Sequence, residues 1–375
     1  MTFEGLELRS HIGADGTLRI GLATVRHGAP GPGDVIIRVE AAPLNPTDHY
    51  LLTGPADQAT MTASGTRERP ELTMTIPAAA LPFVSRRVGI SMPVGAEGAG
   101  TVVAAGAGAE ALVGRRVAAM AGGMFTQYRQ LAARRCVVLP DSVPTARGAA
   151  MFVNPLTVLG FIETMRDEGH SALVHAAAAS NLGQMLVKAC LADGIPLVNI
   201  VRRPEQAAIL HGIGAKLVVD SSRPDFEHEL GRAVAETGAR LAFDPIGGGR
   251  LAGQILAAME TASASPDGAY EHYGSAVPKG LYIYGGLDRG PTILERRFGF
   301  AWRVGGWLLF HFMARAGAER MAGLQARVLS EIDTTFASRF TRTVSLAQVL
   351  DPEVFGAFQA KSTGEKYLVS PSADV

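Results

Sequence analysis

Cysteine is nearly absent from this chain. It carries two, Cys136 and Cys190, far apart and without CxxC spacing. That excludes a disulfide framework and fits a reducing cytoplasm. An excess of one charge is also missing, since 35 Lys and Arg balance 35 Asp and Glu. With no basic tail or polybasic run, nothing directs the chain to nucleic acid or to an anionic membrane. Residues Met1 to Ser10 are mixed polar and charged, unlike a signal peptide. No apolar run is long enough to span a bilayer. The most apolar stretch, Phe298 to Met313, contains Arg303 and is shorter than the roughly 20 residues a spanning helix needs. It reads as a helix, buried within the chain or against a partner subunit in a homodimer. A cytoplasmic protein is expected.

What is present is a strand–turn–helix–strand pattern from Ser171 to Arg203. Ala172 to Val174 suit a buried parallel strand. Ala176 to Ala179, with Ser180 and Asn181, form a tight turn of small residues. Leu182, Leu186 and Ala189 then recur at helical spacing, and Leu197 to Val201 form a second apolar run. This is the outline of a dinucleotide-binding unit, in which a pyrophosphate rests on the amides and positive dipole of a helix N-terminus. The glycine fingerprint is degenerate. With Gly183 as its last glycine, Ala178 takes the first position and Ser180 the second, and both are small enough for close backbone approach. Ser180 and Asn181 can add hydrogen bonds. Where an acid would grip an NAD ribose, the chain has Arg202 and Arg203. Two guanidiniums suit a 2′-phosphate and favour NADPH. The alternative is a solvated basic pair ahead of Pro204.

The pattern repeats. Leu217 to Val219 follows a helix-like segment, Leu241 to Phe243 leads into Asp244-Pro245-Ile246-Gly247, and Leu281 to Tyr284 leads into Gly285-Gly286. Apolar runs alternating with helices predict an α/β fold, a doubly wound parallel sheet of Rossmann type over residues 150–340. Residues 1–149 differ, with short apolar runs separated by Gly and Pro turns: Val35 to Ile37, Thr101 to Val103, Val117 to Ala119 and Val137 to Leu139. They predict a compact β-rich domain. The strand-like end, Gly364 to Val369, returns to it, so that domain comprises 1–149 and 341–375. Two domains suit a chain of 375 residues.

A β-rich first domain followed by a Rossmann domain resembles the medium-chain dehydrogenase/reductases, whose first domain is GroES-like. Ala42-Pro43-Leu44-Asn45-Pro46-Thr47-Asp48, the Gly95-Ala96-Glu97-Gly98-Ala99-Gly100 turn, Gly122 to Tyr128, Val153-Asn154-Pro155-Leu156-Thr157 and the nucleotide unit carry the likeness. It covers nearly the whole chain. Within the family the chain is most similar to the zinc-free quinone reductases and the 2-enoyl thioester reductases. The resemblance puts Asn45 and Ala96 at the two catalytic zinc positions, where neither is a plausible ligand, and no four-cysteine lobe exists. His49 alone makes no site. No metal is expected.

Without zinc the easier reaction is hydride delivery from NADPH to an electron-poor acceptor, a quinone or conjugated carbonyl. The resemblance places Asn45 near the nicotinamide as the foremost donor to a developing oxyanion, with Tyr50 and His49 as weaker donors or proton sources. Asn45 also reads as an Asx-turn residue before Pro46. Asn154 and Thr157 open a helix in the family pattern and are cofactor candidates, as are Asp244, Ile246, Gly247, Tyr284, Gly285, Gly286 and Lys366. Thr157 reads equally as a helix cap and Lys366 as a solvated lysine. Two segments exceed the family pattern, 55–92 and 261–279. The first lies where the enoyl reductases place a catalytic tyrosine, absent at the matching spot here. It is expected to be a long loop over the substrate cleft. A 2-enoyl thioester reductase is the second reading, and a non-catalytic NADPH-binding sensor the third.

Overall fold

The computed structural model describes residues 2–263, 272–359 and 366–373. The chain divides into two compact units, one of residues 1–153 and 331–375, the other of residues 154–330.

The second unit is built on a six-stranded parallel sheet. In sequence its strands are Leu173–His175, Leu197–Val201, Leu217–Asp220, Leu241–Asp244, Lys279–Ile283 and Trp302–Gly306, and in space they run third, second, first, fourth, fifth, sixth. Every pairing in the sheet is parallel. This is the doubly wound Rossmann order, whose ligand crevice opens where the order reverses, between the first and fourth strands. The strands are continuous apolar runs because helices cover them. Val174, Val198, Ile200 and Leu281 pack with Leu230, Ile255 and Met259 from the helices Phe226–Thr237 and Leu251–Thr261.

The first unit contains two sheets. One is five-stranded, in the order Asp57–Gly65, Pro70–Thr75, Thr17–His27, Phe3–Ile12, Ser91–Pro93. The other centres on Asp34–Pro43, which pairs antiparallel with Gly98–Ala105 and with Tyr128–Ala132. The C-terminal strand Tyr367–Val369 joins this second sheet, with Leu368 opposite Pro43 and Val369 opposite Ala42. The core between the strands is aliphatic, with Leu8, Ile20, Val35, Ile37, Val39 and Val117 fully buried.

Two expectations need revision, and a third falls partly outside the described residues. Residues 55–92 do not form a long loop. Asp57–Gly65 and Pro70–Thr75 pair as an antiparallel hairpin that continues the five-stranded sheet beyond Thr17–His27. The reason lies in the alternation of Leu72 and Met74, which send side chains into the core while Thr73 and Thr75 face out. Phe298 to Met313 is not one helix. It contains the strand Trp302–Gly306 and the start of the helix Leu309–Ser330, because Gly305 and Gly306 end the one before the other begins. Of the 261–279 segment, residues 264–271 lie outside the described residues. Thr261 ends a helix and Lys279 begins a strand.

Since the hairpin is anchored by its apolar face, Leu72→Ala should cost about 2–5 kcal/mol, read as a lower denaturant midpoint. Ala63→Ser, on the exposed strand, should stay within about 0.5 kcal/mol. Equal midpoints for the two variants would contradict the anchoring.

Candidate functional site

In the second unit the candidate residues gather at the C-terminal ends of the parallel strands. The first strand ends at His175. The turn that follows is fixed from both sides, since Ala176 N donates to Phe243 O and Ala178 N to Ile200 O. Ser180 is the N-cap of the helix Asn181–Ala192, its Oγ accepting from Gly183 N at 3.1 Å. Glycine at 183 is obligatory, because an added Cβ would lie 2.1 Å from Ala178 O. Ala177 adopts φ +49°, the one positive-φ residue other than glycine among the described residues. A left-handed alanine costs about 1–2 kcal/mol, and such strain collects at ligand-binding turns. Asn181 Nδ2 is buried without a hydrogen-bond partner. An orphaned amide donor beside a helix N-terminus suits an anionic ligand. Leu182 is half-buried in the first turn of that helix.

Arg202 and Arg203 follow the second strand with exposed side chains, and Arg203 is the N-cap residue of the helix Pro204–Gly212. Asp244 closes the fourth strand, and its buried carboxylate accepts from Ile246 N at 2.7 Å and Gly247 N at 3.2 Å. Burial pushes its carboxyl up. Both oxygens are thus used within its own turn. That turn is tied to the one after the fifth strand, since Leu287 N donates to Pro245 O and Asp288 N to Ile246 O. Gly285 permits the approach, as a Cβ there would meet Pro245 O at 2.7 Å. Gly286 continues the same turn. Tyr284 Oη lies 2.8 Å from His175 Nε2. Asn154 and Thr157 are buried within the helix Val153–Asp167, so Thr157 is an interior residue and not a cap.

In the first unit a buried polar cluster forms around Glu97. Its Oε1 accepts from Asn45 Nδ2 at 2.8 Å, and its Oε2 from the amides of Phe152 at 2.9 Å and Val153 at 3.1 Å. A carboxylate at those amides complements the helix that begins there. Asp48 Oδ2 accepts from Asn45 N and Asp48 Oδ1 from Ala96 N, which holds the Asn45-to-Asp48 turn against the Gly95-to-Gly100 turn. Asn45 therefore commits an amide N–H to Glu97, and its buried Oδ1 has no partner. The second N–H of Nδ2 is still there to donate, and the unpartnered Oδ1 adds an acceptor beside it. Lys366 is buried rather than solvated, with Nζ 3.4 Å from Ser338 Oγ. Burial lowers its ammonium to about 8 against the pull of Glu97 and Asp48. His49 is buried, with Nδ1 2.8 Å from Gln359 Oε1 and its ring against Phe358. Tyr50 is 51% exposed. Among the described residues no group of three His, Cys, Asp or Glu side chains converges to hold a metal ion, and no helix is long and apolar enough to cross a membrane.

Sequence reasoning gave no role to Asp48, Glu97 or His175. The first two stood inside quoted motifs, but a carboxylate that serves backbone amides has no spacing signature. His175 falls between the apolar run ending at Val174 and the turn beginning at Ala176, and the pattern assigns it to neither.

Burial raises Asp48 from 3.8 to about 7, opposed by its two amide donors. An acid whose folded pKa lies above its unfolded one gives stability that is full below the unfolded value and is lost as pH climbs through the folded one. Asp48→Asn removes this titration and one acceptor. It should cost about 1–3 kcal/mol, and its melting temperature should fall less steeply between pH ~4 and ~7 than that of the unsubstituted protein. Lys366, lowered from 10.5 to about 8, stays charged across that window. Parallel pH curves would argue against the buried titration. Separately, Ala177→Gly relieves the left-handed strain but adds about 0.4–1 kcal/mol of unfolded-chain entropy. Thermal denaturation should show it neutral or stabilised by up to ~1.6 kcal/mol.

The alcohol dehydrogenase GroES-like domain family matches residues 31–141. A quinone oxidoreductase of Pseudomonas aeruginosa is 27% identical over 222 residues, which are 58% of this chain and 59% of that protein. The chain thus spans about three-fifths of that relative's length. A solved structure from Mesorhizobium loti, assigned as an NADPH:quinone reductase, aligns over 99% of this chain and 98% of its own, at 26% identity and a TM-score of 0.72. The Escherichia coli quinone oxidoreductase complexed with NADPH aligns over 98% of this chain and 100% of its own, at 16% identity and a TM-score of 0.70, a likeness of fold. With the alcohol dehydrogenase GroES-like match over residues 31–141 in its first unit and the doubly wound sheet in its second, the chain is similar to quinone oxidoreductases in both units.

Proposed function

We propose that the protein is an NADPH-dependent, zinc-independent oxidoreductase that reduces a quinone or a related conjugated carbonyl compound. The observation that carries this reading is the pair of exposed arginines at the end of the second strand, beside a helix N-terminus with an orphaned Asn181 amide. The helix amides and Asn181 would hold the pyrophosphate, and Arg202 and Arg203 would hold the 2′-phosphate by charge-assisted hydrogen bonds. When bound, NADPH supplies the hydride. The relatives' names, a quinone oxidoreductase and an NADPH:quinone reductase, support the same acceptor class.

Zinc independence is supported by the donor set. Asn45 is engaged with Glu97, and Ala96 has no ligand atom. An acceptor that is already electron-poor needs no Lewis acid. Asn45 Oδ1 is a fixed acceptor, fitted to an N–H or O–H group of cofactor or substrate. Proton delivery falls to Tyr50, the exposed hydroxyl of the three candidates.

The test is NADPH oxidation by chelator-treated protein with menadione and, in parallel, crotonyl-CoA. Turnover with menadione is expected. Turnover with the thioester alone would replace this reading with a 2-enoyl thioester reductase, and NADPH binding without turnover on either would leave a nucleotide sensor. The double variant Arg202→Ala/Arg203→Ala should lose about 10–100-fold of its preference for NADPH over NADH. An unchanged preference would remove the arginines from the site.

A further inference from the structure

His175 is fully buried at the end of the central strand, and the sequence gives it no role. Its ring stacks beside Tyr284, with centroids 5.9 Å apart and planes 19° apart, and Phe161 closes against both. Tyr284 Oη is 2.8 Å from Nε2, while Nδ1 is buried with no hydrogen-bond partner. Burial holds the imidazolium down at about 3, so the ring is neutral and carries one proton.

Two arrangements of that proton are open. If Tyr284 donates to Nε2, the proton sits on Nδ1 and leaves a buried N–H unpaired. If Nε2–H donates to Tyr284 Oη, Nδ1 keeps only a bare lone pair. Orphaned buried N–H groups are the rarer and costlier of the two. The second arrangement therefore prevails, and it releases the hydrogen of the Tyr284 hydroxyl. Burial and the nearby Asp244 carboxylate keep that phenol protonated. Asp244 does not take the hydrogen, since its oxygens receive the amides of Ile246 and Gly247.

Tyr284 follows the fifth strand and is partly accessible. In the doubly wound order, the second strand lies on the side of the switch point that takes the adenosine, and the fourth and fifth lie on the other. We propose that His175 is a positioning residue that, protonated at Nε2, turns the Tyr284 hydroxyl into a donor to an acceptor oxygen on the nicotinamide-riboside half of the bound dinucleotide. This rests on the NADPH reading above.

Two measurements test it. Nitrogen-15 histidine spectra of the unsubstituted protein report the tautomer directly. A protonated Nε2 with a bare Nδ1 is expected, and the reverse overturns the proposal whatever the variants do. Titrations with NADPH and with 2′,5′-ADP, which lacks the nicotinamide half, then compare the unsubstituted protein with Tyr284→Phe. The variant should bind NADPH about tenfold more weakly, the worth of one hydrogen bond, with 2′,5′-ADP affinity unchanged. Equal loss for both ligands, or loss for neither, overturns the donor role while leaving NADPH binding intact. Failure of the unsubstituted protein to bind either ligand overturns the cofactor reading and this proposal together.

Discussion

The Glu97 carboxylate is the constraint on which the first unit's polar interior depends. Taking such a group out of water costs several kcal/mol unless hydrogen bonds replace the lost solvent. Three donors do so here: the Asn45 side chain and the amides of Phe152 and Val153. The donors come from two distant parts of the sequence, so one buried carboxylate ties the Asn45 turn, its own glycine turn and the start of a helix together. Lys366 balances the charge from the C-terminal segment. Asp48 repeats the device at smaller scale. The rigidity of Asn45 is thus secured by groups that need never touch a ligand.

The second unit solves a different problem with backbone alone. Its strand ends are joined by short turns whose amides bond across the sheet, Ala176 to Phe243 and Ala178 to Ile200. Small residues make this possible. Gly183 and Gly285 are places where backbone meets backbone too closely for a side chain. Ala177 bears strain where glycine would bear none. The Asn181 amide, the arginines and Tyr284 stand on that frame, and specificity is a matter of what they offer from fixed positions.

Much of this was legible in the residues. Five of the six parallel strands announced themselves as apolar runs, and Leu197–Val201 falls where the pattern predicts it. The turn between the first strand and the helix Asn181–Ala192 was legible because small residues stand ahead of a helical repeat. The inserted hairpin was not, since Thr, Gln, Ser and Gly residues read as loop until a neighbouring strand offers its edge, and only Leu72 and Met74 betray the pairing. The Phe298-to-Met313 stretch misled because an apolar run does not reveal its own period. Lys366 looked like a surface residue because burial of a lysine depends on carboxylates more than 250 residues earlier in the sequence. Hydrogen-bond direction at Asn45 and His175 was beyond any sequence pattern, being decided by which partner atom lies opposite.

The hairpin of residues 57–75 shows how a largely polar segment is held by this fold. It pairs at the rim of a sheet, where it uses backbone groups of Thr17–His27 while the pairing of that strand with Phe3–Ile12 runs without a register shift. Its outer strand carries no large apolar side chains apart from Met61 and has a register shift between Asp57 and Thr62, features that blunt an open edge against pairing with other chains. A marginal position separates tolerance from chemistry: the exposed outer strand can vary in composition while the buried carboxylates hold the Asn45 turn in place.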